Sequence, residues 1–133
     1  MSFKFTPEQR RCIDALRGDK YRQGTGWTTR GAGEEACFCP LGVFMMEVAG
    51  RIELHNTIVR GKAILTGPYA PTDEFADRLG LFSPYGAASH QMHPNSGKRL
   101  LSIVRMNDDG FSFRQIADHL DRYPEFYFRQ SAA

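Results

Sequence analysis

The sequence has few cysteines and no long hydrophobic run, and each shortage excludes a class of protein. Three cysteines, Cys12, Cys37 and Cys39, cannot all pair within one chain, and no secretory signal opens the sequence. This pattern indicates a reducing, cytoplasmic environment. The longest apolar run, 43–46, is far shorter than a membrane span, so no membrane partner is expected.

The sequence also lacks repeats, low-complexity tracts and a strong excess of charge. Its 133 residues are 41% hydrophobic and 24% charged, which is typical of a globular protein and excludes disorder and coiled coils. A net charge of +2 favours neither nucleic acid nor a membrane surface as a partner. The length fits a single domain over residues 1–133.

The most informative segment is the apolar stretch from Pro40 to Gly50. Pro40 suits the first position of a helix, where its missing N–H costs nothing, and Gly50 suits a left-handed stop. Between them, apolar residues cover nearly every side, and Glu47 is the only charge. A helix of this kind is buried, so we expect a central helix here, entered from a short strand at Cys37.

Start and stop residues predict four further helices. In the first and last of these, a Thr or Ser is followed three residues later by Gln, which forms a capping box. The residues after Pro124 form an aromatic tail that is either docked on the core or exposed. The four helices are expected from Thr6 to Gly18, from Pro71 to Leu79, from Leu100 to Asn107 and from Ser112 to Pro124.

Short strands are expected elsewhere. Residues 21–33 predict a hairpin that leads into the strand at Cys37, and the separated aliphatic residues of 52–65 fit short strands better than a helix. Residues 81–94 have the composition of a loop or an edge strand. The fold class expected is therefore α+β, with about five helices packed on one side of a small, mainly antiparallel sheet.

Cys39 is the one candidate nucleophile. It directly precedes Pro40, and the N–H groups of a helix start can lower the pKa of a thiol there. A cysteine enzyme also needs a histidine base; His55, His90, His93 and His119 are available, and His90 and His93 are the candidates we name. The alternative, which we favour, is that Cys37 and Cys39 are small buried thiols that fill the core.

The same residues offer the ligand types of a zinc site. Cys37 and Cys39 share one face of a strand, and His90 and His93 could complete a Cys₂His₂ set. The single residue between the cysteines is a tighter spacing than zinc sites usually have. We therefore expect no metal and no cofactor.

Two segments suggest nucleic acid. Arg22, Trp27 and Arg30 place cationic and planar groups together in a glycine-rich stretch, which could form a weak contact with a nucleic acid or nucleotide. Residues 110–120 have the pattern of a helix-turn-helix, but Pro124 blocks a recognition helix after them. A helical hairpin used for packing is the favoured interpretation of 110–120, and nucleic acid is a possible but less favoured partner.

Four short blocks carry a resemblance: Tyr21–Gly24, Cys37–Val43, Leu79–Leu81 and Met106–Asp118. In this order, over nearly the whole chain, they resemble a group of small phage and prophage proteins. In that group the two cysteines are usually adjacent, whereas here Phe38 separates them. The resemblance implies a phage or prophage origin, and hence the cytoplasm of a host cell. It implies no assigned activity.

Three functions stay open at this point. The first choice is a non-enzymatic phage or prophage accessory protein that binds a host or viral macromolecule. The second is a cysteine-dependent enzyme that uses Cys39 with a histidine. The third is a zinc-stabilised module that binds nucleic acid.

Overall fold

A computed structural model of the chain describes residues 3–24, 29–30, 37–54, 57–60 and 72–130, with the backbone alone for 29–30, 51–54 and 57–60. Its helices are α1 (Pro7–Arg17), α2 (Pro40–Ala49), α3 (Asp73–Leu79), α4 (Ile103–Asp108) and α5 (Phe113–Arg122). Its strands are β1 (Arg22–Gln23), β2 (Thr29–Arg30), β3 (Cys37–Phe38), β4 (Arg51–Leu54) and β5 (Thr57–Arg60). Over these ranges, every helix is too short or too polar to cross a membrane.

Local capping explains where the helices begin. Thr6 accepts a hydrogen bond from the backbone N–H of Gln9 at 3.1 Å, and the Gln9 side chain accepts one from the Thr6 N–H at 3.0 Å. Ser112 and Gln115 form the same capping box at α5. Both boxes were predicted and are confirmed. The bounds of α2 are also confirmed, with Gly50 in the left-handed conformation at φ 71°.

The core is built from helices packed on one another. The first six residues of α2 are buried, and this helix contacts α1, α4 and β4. Helix α1 also packs on α5. There the Asp121 carboxylate forms ion pairs with the guanidinium groups of Arg10 and Arg17, with N···O distances of 2.7 and 2.6 Å. The aromatic tail is docked, because Tyr127 and Phe128 are buried. The prediction of α2 as a central helix is confirmed.

The predicted sheet is wrong, although the broad α+β class holds. The helices pack on each other and do not cover one side of a mainly antiparallel sheet. Strands β1 and β3, whose side chains are described, pair in parallel, with Arg22 opposite Cys37 and Gln23 opposite Phe38. Each is only two residues long, β2 pairs with the other edge of β3, and β4 and β5 form a separate hairpin.

A buried polar network places β1 beside β3. The Gln23 side chain donates to Asn107 at 2.8 Å and to the Phe111 carbonyl at 2.7 Å, and its oxygen accepts from the Phe113 N–H at 3.1 Å. Asn107 in turn donates to the Gly24 carbonyl at 2.7 Å. These bonds satisfy the buried side-chain amide of Asn107 and the backbone N–H of Phe113 at the start of α5. They also fix β1 against the turn between α4 and α5.

Candidate functional site

Cys39 occupies the predicted N-cap position of α2, but its environment differs from that of an activated thiol. The residue is only 5% exposed. Burial raises the pKa of Cys39 to about 11, and the opposing effect of the nearby Leu41 and Gly42 N–H groups is smaller. The helix-end effect expected from the sequence is therefore present, but desolvation outweighs it. A thiol in this state is a poor nucleophile at neutral pH.

Neither proposed histidine partner contacts Cys39. The His90 ring lies 5.7 Å from the Phe126 ring and its Nδ1 is 3.0 Å from the Ser89 hydroxyl. The His93 ring packs on Tyr123 and Phe126, at 5.4 and 5.2 Å between centroids. Both histidines thus sit on the C-terminal aromatic residues.

The described residues contain no group of three or more His, Cys, Asp or Glu that could hold a metal ion. His90 and His93 therefore do not join Cys37 and Cys39 in such a group. One ring nitrogen of His93 is already engaged within the protein. Its Nδ1 accepts hydrogen bonds from the backbone N–H groups of residues 95 and 96.

The proposed nucleic-acid contact is described only in part. Arg22 and Arg30 both have Cys37 as their register partner, so they flank β3 on its two sides. Trp27 lies outside the described residues, and for Arg30 only the backbone is described. The register therefore brings two of the three residues to the same level of the sheet.

A groove that was not predicted lies between the 85–101 segment and α4. It has a volume of about 550 Å³, and its lining includes Tyr85, Gln91, Met92, Arg99, Arg105 and Asp108. We call it the Tyr85 groove. Tyr85 and Met92 are 57% and 52% exposed, and they are the large hydrophobic residues that the described part of the chain leaves exposed.

The backbone holds the Tyr85 groove in shape. The carbonyls of Tyr85 and Gly86 accept hydrogen bonds from the Val104 and Ile103 N–H groups, which lie in the first turn of α4. Gly86 has a φ of 69° and lies so close to Ile103 that an added Cβ would be 2.7 Å from the Ile103 Cβ. On the other side, Met92 and Arg99 are paired in an antiparallel bridge.

A second cleft, of about 340 Å³, lies on the other side of the 91–100 hairpin, against α5. We call it the His119 cleft. Arg99 and Leu100 line both the cleft and the Tyr85 groove. The further residues that line the His119 cleft are His93, Ser96, Lys98, Phe111, Gln115, Asp118, His119, Arg122 and Tyr123.

Sequence reasoning missed both sites because each combines residues of a helix with residues of the 85–101 segment, which has no periodicity. Residues 81–94 were predicted as a loop or edge strand, and no motif singles out Tyr85, Met92 or Lys98. One signal was available: large apolar and cationic side chains lie close together in residues 85–99, and binding residues are found disproportionately on loops.

A comparison of the chain with protein-family models, with curated proteins and with solved structures finds no match in any of the three.

Proposed function

We propose that this chain is a non-enzymatic phage or prophage accessory protein, which acts in the host-cell cytoplasm by binding a host or viral protein in the Tyr85 groove. The observation that carries the proposal is the position of Tyr85 and Met92. Both are exposed over more than half of their surface, and both line the same groove. The phage origin rests on the resemblance of the four sequence blocks.

Exposed side chains of these types favour a protein partner. Tyr, Met and Arg are enriched in the centres of protein interfaces, where a few such residues carry most of the binding energy. Full burial of a side chain of this size contributes about 1.5–3 kcal/mol. The backbone bonds that hold Tyr85 and Gly86 against α4 reduce the entropy lost on binding, because this part of the groove is already formed.

The charges of the groove indicate the chemistry of the partner. Arg99 has no ion-pair partner among the described residues, whereas Arg105 binds Asp109 at 2.9 Å. The Arg105 pair is exposed, so a better-placed carboxylate could compete for that guanidinium. We infer that the partner segment presents an apolar side chain next to an Asp or Glu.

The environment of Cys39 supports the non-enzymatic part of the proposal over the cysteine-enzyme alternative. Its thiol is buried, its pKa is raised, and neither His90 nor His93 contacts it. The zinc alternative has no cluster of ligands to support it within the described ranges.

The test uses a photo-crosslinking amino acid. The residue is introduced at position 85, and in a control chain at position 78 in α3, whose Arg side chain is exposed and does not line the groove. A protein captured from phage-infected cells at position 85 but not at position 78 is then purified for affinity measurements.

Tyr85→Ser combined with Met92→Ser should weaken the affinity of that protein at least about tenfold, because each truncated anchor removes more than about 1 kcal/mol. Arg78→Ser should leave the affinity unchanged. Equal affinity of the double variant and the parent chain would contradict the proposed docking site.

A further inference from the structure

The His119 cleft carries more positive charge than its surroundings neutralise. Lys98 and Arg99 are exposed and have no ion-pair partner in the described part of the chain, and Arg122 lies over the Tyr123 ring at 5.5 Å. Asp118 is the one acidic residue in the lining, and it binds Arg17, which lies outside the cleft, at 2.8 Å. Three cations around 340 Å³ fit a ligand with a compact anionic group.

Hydrogen bonds fix the protonation pattern of His119. The Tyr127 hydroxyl donates to the Leu101 carbonyl at 2.6 Å, so its oxygen must accept from the His119 Nε2, which is 2.9 Å away. The proton of the neutral ring is therefore on Nε2, and Nδ1 is left as an acceptor. Burial, helped by Arg122, lowers the pKa of His119, so the ring is neutral at pH 7.

His93 has the opposite hydrogen-bonding capacity at its unused nitrogen. Its Nδ1 accepts from the backbone N–H groups of Asn95 and Ser96, both at 3.1 Å, so the neutral ring carries its proton on Nε2. The rings of His93 and His119 both pack on Tyr123, with centroid distances of 5.4 and 5.1 Å. One cleft therefore has an N–H donor and a nitrogen acceptor for which the described part of the chain provides no hydrogen-bond partner, next to aromatic surface.

We propose that the His119 cleft binds a nucleoside monophosphate. Lys98, Arg99 and Arg122 bind the phosphate, while His93 and His119 read a donor and an acceptor on the Watson–Crick edge of the base, where each of the four bases carries both. The volume lies at the lower end of the range for ligand pockets and suits one nucleotide. This inference goes beyond the protein-binding function, which depends on the Tyr85 groove.

The binding measurement is calorimetric titration of the purified chain, at low ionic strength, with AMP, GMP, CMP and UMP. Adenosine and inorganic phosphate, the two halves of AMP, are titrated separately. At least one monophosphate should bind with a Kd below about 1 mM, and each half should bind at least about tenfold more weakly. Phosphate that binds as tightly as every nucleotide would overturn the proposed base site, and the absence of binding by all four would overturn the whole proposal.

Two variants locate the site. Lys98→Ser combined with Arg122→Ser removes two cations that do not line the Tyr85 groove, and it should weaken nucleotide binding at least about tenfold. Arg114→Ser, on the same helix but outside the cleft, is the matched control and should change affinity by less than about twofold. All three side chains belong to exposed residues, so the variants should fold like the parent chain. An unchanged affinity in the double variant would place the nucleotide elsewhere.

Nitrogen NMR of the histidine rings tests the roles of His93 and His119. The nucleotide should shift the signal of the His119 Nδ1 and that of the His93 Nε2, because these two atoms gain ligand contacts. Shifts confined to other histidines, or no shift at saturation, would contradict the assignment of base recognition to this pair.

Discussion

The rate of Cys39 alkylation distinguishes a packing role from a catalytic role, because the two roles predict very different rates. With a pKa of about 11, the folded protein holds only about one Cys39 thiolate in 10⁴ at pH 7. An ordinary thiol with a pKa of about 8.5 is about 3% thiolate at the same pH. The difference in thiolate fraction is about 300-fold, and burial of the sulfur reduces access of the reagent further. A thiolate of higher pKa is intrinsically more nucleophilic, which offsets part of this difference, so we expect iodoacetamide to label native Cys39 at least about tenfold more slowly than it labels free cysteine.

The assay follows labelling at pH 7 by digestion and mass spectrometry. Because Cys37 is only two residues away, fragment ions must assign the modified residue. The same chain unfolded in guanidinium is the control, and there Cys39 should react at the rate of free cysteine. Labelling of native Cys39 as fast as free cysteine, persisting down to about pH 6, would refute the burial argument and restore the cysteine enzyme.

Three further predictions test the core, a titrating group and a close contact. Met45→Asp places a carboxylate in the fully buried part of α2, at a cost of several kcal/mol, so the soluble yield or melting temperature should collapse; a parent-like melting curve would contradict the burial. The folded pKa of His119 is below its unfolded value of about 6.5, so its contribution to stability is complete above pH 6.5 and is lost as the pH falls toward the folded pKa, by at most about 1.4 kcal/mol per pH unit. His119→Gln should remove this component from the pH dependence of urea unfolding, and an identical dependence in the variant would refute it. Gly24→Ala should cost about 1–3 kcal/mol in chemical unfolding, because the new Cβ would lie 2.8 Å from the Cys37 Cβ, and a neutral effect would show that the contact relaxes freely.

The helices were predictable because their signals are local. A Thr or Ser three residues before a Gln satisfies N–H groups within one turn, and the structure has both capping boxes where the sequence places them. The same holds for Pro40 and Gly50, which act on the chain next to them. Only the starts of α3 and α4 shifted, to the caps Thr72 and Ser102.

The sheet was not predictable because its cause is distant in sequence. Strand β1 is two polar residues without alternation, and its parallel pairing depends on the bonds from Gln23 to Asn107 and to Phe113, 84 and 90 residues away. Periodicity cannot report such a contact. The polar side chain of Gln23 is the only trace of this contact in the sequence.

The functional sites could not be predicted from the sequence for a related reason. Cys39 was placed correctly at the helix start, but the balance between the helix N–H groups and desolvation depends on tertiary burial. The Tyr85 groove and the His119 cleft depend on how the 81–101 segment folds over α4 and α5, which its composition does not encode in any regular pattern.

The residues to which we assign binding lie outside the four resemblance blocks, although the last block contributes to the lining of the groove and of the cleft. Gly24 lies against Cys37, the Asn107 side chain binds the Gly24 carbonyl, and the Tyr21 hydroxyl donates to Glu47 of α2 at 2.5 Å. Three of the four blocks thus meet in one partly buried junction, where steric fit and satisfied polar groups are sufficient to explain the residues. The Tyr85 groove takes most of its lining from residues 85–105, between the blocks. Proteins that share the blocks would therefore share this junction and not necessarily a partner, because the residues that we assign to binding are outside the blocks.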